Sequence, residues 1–536
     1  MSSFPTPLQI LLRLALVALA WHAAPAHALT AVEARAIATG NSDARIAALN
    51  AAVARGDERL APFITALLAD EVKVGPDRVF IVHADRPSDA ATGVDVPAPP
   101  ADVEEVTNNN RVRGALEAAL AGLRLLSPDE AVRAEAIGEL AKRSLDETQL
   151  PLIEKALAAE TGPSLKERLQ RMRATLVIAS SDRARRLAAA AELASSSQSA
   201  VATLLQERLG PGGEADAEVR VALQSALSSV QSRLAWGERL AVIFTGVSLG
   251  SVLLLVALGL AITYGLMGVI NMAHGELMMI GAYTTYVVQN LFRSYLPGLF
   301  DAYVIAAIPA AFLVSALVGA VLERGVIRFL YGRPLETLLA TWGISLVLQQ
   351  SVRSLFGAQN VSVENPGWLS GGVELMSNLV LPYNRIAIIA FAFMVLGGVA
   401  LLIAKTRFGL FIRGVTQNRR MASCVGVDTA RIDMLAFSFG AGIAGLGGVA
   451  LSQIGNVGPD LGQSYIVDSF LVVVVGGVGQ LAGTVVAALG LGVLNKLLEG
   501  IAGAVLAKIA VLVVIVVFIQ RKPSGLFAMK GRSAEA

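Results

Sequence analysis

Charged residues and cysteine are scarce in this chain of 536 residues. Asp, Glu, Lys and Arg together make up 16% of it, whereas apolar residues make up 54%. A soluble protein is usually more charged and less apolar than this. The single cysteine, Cys424, excludes an intramolecular disulfide framework. The net charge of +2 and the absence of a dense basic stripe in the sequence indicate that nucleic acid is not a partner.

Sequence motifs for chemistry are also missing. The glycine-rich Walker A pattern, which cradles nucleotide phosphates, does not occur in the sequence. His83 and Asp85 lie close together, but a lone pair of this kind is typical of a surface loop, and no metal-ligand or catalytic spacing surrounds it. We therefore predict that the chain is not an enzyme and holds no cofactor, so any ATP-driven work needs a partner protein.

The first 28 residues have the pattern of a signal peptide. Arg13 supplies a positive start, residues 14–21 are a short apolar core, and residues 26–28 (Ala-His-Ala) fit a small-x-small cleavage site. The apolar core is too short to cross a bilayer, which takes about 20 residues. The sequence therefore predicts that the next segment, residues 29–237, is exported.

Residues 29–237 have the composition and periodicity of a helical domain. Ala, Leu, Glu and Arg dominate, and apolar residues recur at three- and four-residue spacing. A turn followed by an apolar residue beside an arginine recurs at Asp43–Ile46, Asp129–Arg133 and Asp216–Arg220. Stacked helices of this kind resemble a HEAT-like solenoid, and an ordinary helical bundle is the alternative. Residues 78–82 are predicted to form a strand.

Residues 238–522 are predicted to be a transmembrane permease domain. Its apolar runs are long and poor in charge, which predicts about 8–10 helical spans. The candidate spans are 242–269, 277–294, 303–322, 335–356, 385–404, 433–455, 466–480, 482–500 and 503–520. The predicted fold class is therefore all-α: a polytopic membrane permease with an N-terminal helical domain and a cytoplasmic tail at 523–536.

Loops rich in Lys and Arg predict the orientation, because such loops face the cytoplasm. Three basic clusters occur, at 324–333, at 405–431 and at 521–532. Even numbers of spans separate them, so all three fall on one side of the membrane. Three spans precede the first cluster, which places residue 240 outside. The signal peptide predicts the same. The chain is thus expected in the bacterial inner membrane, with the extension in the periplasm and the C-terminus in the cytoplasm.

Polar side chains within or beside the spans are candidates for a translocation pathway. Asn271, His274 and Glu276 lie between two apolar runs, and Gly275 allows a helix break there. A plain cytoplasmic turn is the alternative interpretation of this segment, and both remain open. Further pathway candidates are Gln349, Gln350, Gln453 and Asn456.

The loop at 405–432 is too long and too charged for a minimal turn. Arg407–Arg413 and Arg419–Gly426 have the pattern of short amphipathic helices. We predict that this loop is a lever pressed by a soluble ATPase, and a solvated positive-inside loop is the alternative. The residues predicted to carry the coupling are Phe408, Gly409, Phe411, Arg413, Arg419, Arg420 and Gly426.

Several of these segments resemble branched-chain amino acid ABC permeases. The resemblance covers the whole membrane half and lies in Gly246–Ser251, Gly259–Gly265, Val269–Glu276, Gly409–Gly426 and Ala441–Gly448. More narrowly, residues 462–470 and the long N-terminal extension are similar to the urea ABC transporter permeases within that family. The resemblance implies an importer that contains a second permease subunit, two ATP-binding cassette ATPases and a periplasmic solute-binding protein, all acting at a lipid membrane.

Three functions are compatible with the sequence. The first is an ABC importer permease for urea or short amides, with branched-chain amino acids as the alternative solute. Urea is small and neutral, so amides, carboxylates or free backbone satisfy it, whereas a zwitterionic amino acid favours fixed charges or helix ends. The second is a passive channel for a small neutral solute, and the third is a membrane-anchored scaffold. The loop at 405–432 favours the importer, because a channel needs no lever.

Overall fold

The structure is a computed structural model that describes residues 29–55, 59–83, 86–96, 103–141, 149–268, 270–376, 378–523 and 525–527. The chain divides into two compact units, and the boundary lies between Arg233 and Leu234. The predicted signal peptide and the last nine residues of the predicted tail, 528–536, lie outside the described residues.

The N-terminal unit consists of helices and one small sheet. Its helices are α1 (Ala31–Ala38), α2 (Ser42–Arg55), α3 (Leu60–Leu68), α4 (Asn110–Arg124), α5 (Glu130–Ala141), α6 (Leu150–Ala159), α7 (Pro163–Val177), α8 (Arg183–Leu193), α9 (Ser199–Leu209) and the first turns of α10 (Ala217–Met267). Between α3 and α4, strands β1 (Val72–Val74), β2 (Val79–His83), β3 (Arg86–Asp89) and β4 (Glu104–Glu105) form an antiparallel sheet in the order β3-β2-β1-β4. The strand predicted at 78–82 is confirmed as β2, whereas the other three strands were not predicted.

An arginine near the start of α5 closes the turn that precedes this helix. The Asp129 carboxylate accepts a hydrogen bond from the backbone of α5 at 2.9 Å. Four residues later, Arg133 Nη1 donates to the carbonyl oxygens of Ser127 and Pro128, both at 3.0 Å. Its Nε and Nη2 donate to the Glu160 carboxylate at 2.8 and 3.1 Å. We call this set of contacts an arginine clasp; it ties the turn before α5 to the end of α6.

The arginine clasp occurs twice in the described part of the chain. Ser127, Asp129 and Arg133 correspond to Ser180, Asp182 and Arg186, and the partner glutamate is Glu214 in the second copy. The buried apolar residues of α4 and α7 correspond in the same way, and the first turns of α10 continue the series at nearly the same spacing. The corresponding residues are Val112, Leu165 and Val219; Leu116, Leu169 and Leu223; Ala119, Met172 and Ala226. A three-helix unit is therefore repeated, and its assignment to the HEAT-like class stays a prediction.

The unit from Leu234 onward is a bundle of long helices. After α10 come α11 (His274–Tyr295), α12 (Tyr303–Gly325), α13 (Pro334–Phe356), α14 (Tyr383–Lys405), α15 (Arg407–Gln417), α16 (Arg419–Cys424), α17 (Thr429–Ser452), α18 (Leu461–Gly476), α19 (Leu481–Ala502) and α20 (Ala504–Arg521). A hairpin of β5 (Gly372–Met376) and β6 (Leu379–Pro382) precedes α14. Within the described residues, a helix occupies each of the nine predicted spans.

Six of the described helical segments are long and apolar enough to cross a membrane. They are Ala217–Met267, Pro297–Phe329, Tyr383–Lys405, Thr429–Ser452, Leu481–Ala502 and Ala504–Arg521. α11 and α13 have spanning length but carry many polar side chains, and α18 is shorter. The chain is thus a helical, multi-pass membrane protein.

Small residues allow these helices to approach closely. Gly246 and Gly250 lie one turn apart on α10 and face Gly492 of α19. A Cβ atom placed on Gly492 would lie 2.5 Å from the Gly246 carbonyl oxygen and 2.5 Å from the Gly250 nitrogen. Because apolar burial gives little driving force between helices in lipid, close backbone packing of this kind holds them together.

The basic clusters of the sequence lie at one end of the helical bundle. A cavity is lined by arginines of the first two clusters, namely Arg324, Arg328, Arg419 and Arg431. Arg413 lines another cavity together with the turn at 479–482. Near that turn, the Leu526 N–H donates to the Val475 carbonyl oxygen at 2.8 Å. This contact places the segment of the third basic cluster at the same end of the bundle. This arrangement is the one that the predicted topology requires, although the side of the membrane on which it lies stays a prediction.

Candidate functional site

The chain folds back into the bundle after α10. His274, the first residue of α11, places its Nε2 atom 3.2 Å from the carbonyl oxygen of Val256. Val256 precedes the end of α10 at Met267 by three turns, which is about 16 Å of helix. Asn271, His274 and Glu276 are all at most 2% exposed. Residues 271–276 therefore lie inside the bundle and do not form an exposed turn. We call these residues the fold-back.

The polar residues of the fold-back point to two different helices. His274 faces α10, because its Nε2–H donates to Val256 and a Cβ atom on Gly259 would lie 3.0 Å from this nitrogen. Glu276 faces α13, since its Oε1 accepts a hydrogen bond from Gln349 Nε2 at 2.9 Å. His274 Nδ1, Glu276 Oε2 and Asn271 Nδ2 have no hydrogen-bond partner among the described residues. Buried polar atoms are normally paired, so these three unpaired atoms are candidates for contact with a solute.

α13 covers the fold-back with a polar stripe. Its buried side chains recur every four residues: Thr337, Thr341, Ser345 and Gln349. The hydroxyl of Thr341 accepts a hydrogen bond from the Met272 backbone N–H at 3.2 Å, and Gln349 donates to Glu276. The other faces of α13 expose apolar residues such as Leu339 and Trp342. α13 is thus attached to the fold-back largely through hydrogen bonds.

Two helices begin where the fold-back ends. α11 begins at His274 and α18 begins at Leu461. Gly275 and Gly462 bring these first turns together: a Cβ atom on Gly462 would lie 2.5 Å from the Gly275 carbonyl carbon and 2.8 Å from the Glu276 nitrogen. No larger side chain fits between the two backbones without displacing one of them. The fold-back therefore has a fixed position between α11, α13 and α18.

The other pathway candidates lie elsewhere. Gln453 is 5% exposed and exchanges hydrogen bonds with the Tyr303 hydroxyl, which also donates to the Glu364 carbonyl oxygen at 2.5 Å. This group lies at the opposite end of the bundle from the basic clusters. Asn456 is exposed in the loop that follows. Gln350 is exposed on α13, so its neighbour Gln349 is the glutamine that faces the fold-back.

The predicted amphipathic helices of the 405–432 loop are confirmed as α15 and α16. Thr406 caps α15 by accepting a hydrogen bond from the Gly409 N–H at 3.2 Å, and Asn418 caps α16 in the same way from Met421 at 3.0 Å. Gly426 follows α16 with a φ of +90°, a conformation that favours glycine. We call α15 and α16 together the paired loop helices.

An apolar groove of about 390 Å³ runs along the paired loop helices. Its exposed apolar residues are Leu410, Phe411, Met421 and Val425. Phe408, one of the residues predicted to carry the coupling, packs inward with its ring 6.2 Å from that of Phe439. Arg413 is exposed, and its guanidinium donates a hydrogen bond to the Ile403 carbonyl oxygen of the preceding helix, outside the groove. The exposed apolar surface of the groove is thus formed by one face of α15 and one face of α16.

An ion pair joins α16 to the first turns of α17. The Arg419 guanidinium contacts the carboxylate of Asp433, whose side chain is fully buried. The guanidinium carbon also lies 5.1 Å from the centre of the Tyr331 ring, whose hydroxyl donates to Glu323 at 2.9 Å. Arg420 is exposed, and Cys424 is exposed at the end of α16. Arg419 therefore links the loop to α12 and α17, whereas Arg420 points to solvent.

The helical bundle with its buried fold-back and its paired loop helices defines a membrane permease. Residues 242–520 match the family described as the branched-chain amino acid transport system / permease component. The chain belongs to this family, and it is thus a permease subunit of the ABC transporter class.

Curated relatives match about half of the chain. The high-affinity branched-chain amino acid transport system permease protein BraD of Pseudomonas aeruginosa is 28% identical over 285 residues, which is 52% of this chain and 93% of that protein. The corresponding proteins named LivH of Salmonella typhimurium and Escherichia coli are each 30% identical, over 47% of this chain and 84% of theirs. No solved structure matches this chain.

Proposed function

We propose that this chain is one permease subunit of an ABC importer. It works with a second permease subunit, ATP-binding cassette ATPases and a periplasmic solute-binding protein. The basic end of the bundle faces the cytoplasm, because all three Lys/Arg clusters gather there, and residues 29–237 lie in the periplasm. A reporter that is active only in the cytoplasm, fused near residue 200, is expected to stay inactive; activity would contradict this orientation.

The solute passes the fold-back at 271–276. The observation that carries this proposal is the buried Glu276, with one oxygen bonded to Gln349 and the other unpaired. Ionisable groups at membrane depth are costly in free energy, and where they occur they mark solute or ion pathways. An unpaired carboxylate oxygen accepts N–H groups, and the unpaired Asn271 amide donates to a carbonyl oxygen, so the site suits a small solute that carries both.

Neighbouring glutamines of α13 provide a matched test of this pathway. Replacing Gln349 with Met keeps the volume and removes the donor to Glu276, whereas Gln350→Met makes the same change on the exposed side. Hydrogen bonds to charged groups contribute about 1.5–3 kcal/mol, so we expect uptake to fall about tenfold or more in the first variant only. Glu276→Gln is expected to impair uptake as well. Normal uptake in both Gln349→Met and Glu276→Gln, at normal expression, would remove the fold-back from the pathway.

Two solutes are candidates. Urea or a short amide is the first, because residues 462–470 and the extension resemble urea permeases and because the site offers both an acceptor and a donor. Branched-chain amino acids are the second, and the names of the curated relatives favour them. Uptake of labelled urea and labelled leucine into vesicles that hold the whole complex, with and without ATP, separates the two. ATP-independent uptake of either solute would instead support a passive channel.

The paired loop helices couple this subunit to its ATPase. The groove with Leu410, Phe411, Met421 and Val425 offers the apolar anchors that helix-in-groove contacts use. Phe411→Asp places a charge in this groove, and loss of an anchor residue costs about 2 kcal/mol or more, which is about a thirtyfold weaker association. We expect ATPase co-purification and uptake to be lost. Ser423→Asp makes the same change on the exposed surface outside the groove and should retain both; equal behaviour of the two variants would refute the proposal.

A further inference from the structure

We propose that the basic cavity between the end of α12 and the start of α17 binds the phosphodiester group of an anionic membrane lipid. The cavity has a volume of about 780 Å³. Arginines line it from two sides: Arg324 at the end of α12 and Arg328 in the turn that follows, and Arg419 and Arg431 from α16 and α17. It is separate from the apolar groove of the paired loop helices and from the fold-back.

The carboxylates near the cavity are already engaged. Asp433 pairs with Arg419, and Glu323 accepts a hydrogen bond from the Tyr331 hydroxyl at 2.9 Å. Asp428 uses its carboxylate to accept the backbone N–H of Arg431 at 3.1 Å. In the described part of the chain, the guanidinium groups of Arg324, Arg328 and Arg431 have no ion-pair partner.

The charge of the cavity fits a single phosphodiester. Its four arginines face the three carboxylates of Glu323, Asp428 and Asp433, which leaves one positive charge when all are ionised. Guanidinium groups bind phosphate oxygens through two parallel hydrogen bonds. A ligand with one negative charge therefore balances the cavity, whereas a polyphosphate exceeds this balance.

Apolar residues around the cavity favour a lipid over a soluble anion. Phe329, at the end of the spanning segment Pro297–Phe329, is 68% exposed, and Met434 lines the cavity. The Arg328 guanidinium carbon lies 5.2 Å from the centre of the Phe329 ring. An arginine and an exposed aromatic ring at the end of a span are typical of the level of lipid headgroups. Basic pockets between membrane helices bind anionic headgroups in this position.

The test measures lipid binding to the full chain purified in detergent, so its outcome does not depend on which solute is transported. Native mass spectrometry compares phosphatidylglycerol with phosphatidylcholine of the same acyl chains. We expect preferential binding of phosphatidylglycerol. Arg328→Gln and Arg431→Gln should each lower its affinity about fivefold, since each basic residue contributes about 1 kcal/mol to binding an anionic surface, and the double variant about 25-fold.

Two further variants separate charge from folding. Arg333→Gln alters an arginine of the same basic cluster that pairs with Glu336 at 3.1 Å and does not line the cavity, so its lipid preference should match the wild type. Arg328→Lys with Arg431→Lys keeps the charge and should retain most of the preference even if the glutamine variants fail to fold.

Three results would overturn the proposal. The first is an equal preference for phosphatidylglycerol in the wild type and the folded glutamine variants. The second is displacement of the lipid by inorganic phosphate at similar concentration, which would make the ligand a free anion. The third is loss of ATPase co-purification in the glutamine variants with unchanged lipid preference, which would assign the cavity to the ATPase.

Discussion

Gly492 and Gly490 provide a test of how the bundle is held together. Both lie on α19, two residues apart. A Cβ atom on Gly492 would lie 2.5 Å from the backbone of α10, whereas a Cβ atom on Gly490 would meet nothing within 4 Å. Normal contact distances are near 3.4–4 Å, so Gly492→Ala requires α10 and α19 to separate by about 1 Å. Overpacking of this kind costs about 1–3 kcal/mol.

The matched pair isolates this cost. Replacing glycine with alanine in a helix is favourable by about 1 kcal/mol. Because this gain applies to both variants, the difference between their free energies of unfolding equals the steric cost at Gly492. We expect Gly490→Ala to be neutral or stabilising and Gly492→Ala to be less stable than it by about 1–3 kcal/mol. At about 2–4 °C per kcal/mol, the apparent Tm values should differ by roughly 2–12 °C.

The assay is thermal unfolding of the purified chain in one detergent at one scan rate, followed by tryptophan fluorescence, with uptake measured in parallel. Equal Tm values for the two variants would show that the α10–α19 contact is looser than the structure has it. A lower Tm for Gly490→Ala than for Gly492→Ala would contradict the packing argument altogether.

Three further results are expected. Asp433→Asn should lower uptake at unchanged ATPase co-purification, because Arg419 loses its buried partner and no longer links the loop to α17; unchanged uptake would refute this. Tyr303→Phe should increase hydrogen exchange around 361–366 by removing the donor to the Glu364 carbonyl oxygen, and unchanged exchange would count against that contact. The hydrogen bond and charge of Arg133 hold the pKa of Glu160 below its ordinary value of 4.5, so the clasp stabilises the unit fully above that pH and less as the pH falls through the lowered pKa. Hydrogen exchange of peptides around 127–162 should therefore become faster in acid. Glu160→Gln should abolish this pH dependence, whereas the exposed Glu207→Gln should retain it.

Hydrophobicity alone located the membrane helices, because long apolar runs have few alternatives to spanning a bilayer. Hydrophobicity did not predict how deeply residues 271–276 lie in the helical bundle. A polar segment between two apolar runs is compatible with an external turn and with an internal fold-back. The contact between His274 and Val256 distinguishes them, and no pattern in the sequence specifies that contact.

Helical phase explains two smaller differences. Gln349 and Gln350 are adjacent and chemically identical, but a step of one residue turns a side chain about 100° around a helix. The four-residue spacing of Thr337, Thr341, Ser345 and Gln349 is the signal in the sequence that selects Gln349. The same argument separates Phe408, which packs inward, from Phe411, which faces the groove. The three strands that join β2 were not predicted because they are only two to four residues long, which is too short for an alternating pattern to be recognised.

The arginine clasp also bears on how the N-terminal unit changes in evolution. Each clasp arginine and its partner glutamate belong to the same repeat, as Arg133 and Glu160 or Arg186 and Glu214 do. Duplicating or deleting one whole repeat in the gene therefore leaves every remaining clasp complete, and stacked repeats depend mainly on their nearest neighbours. A single recombination event can therefore add or remove one whole repeat. A deletion of part of a repeat would instead leave a buried glutamate without its arginine partner.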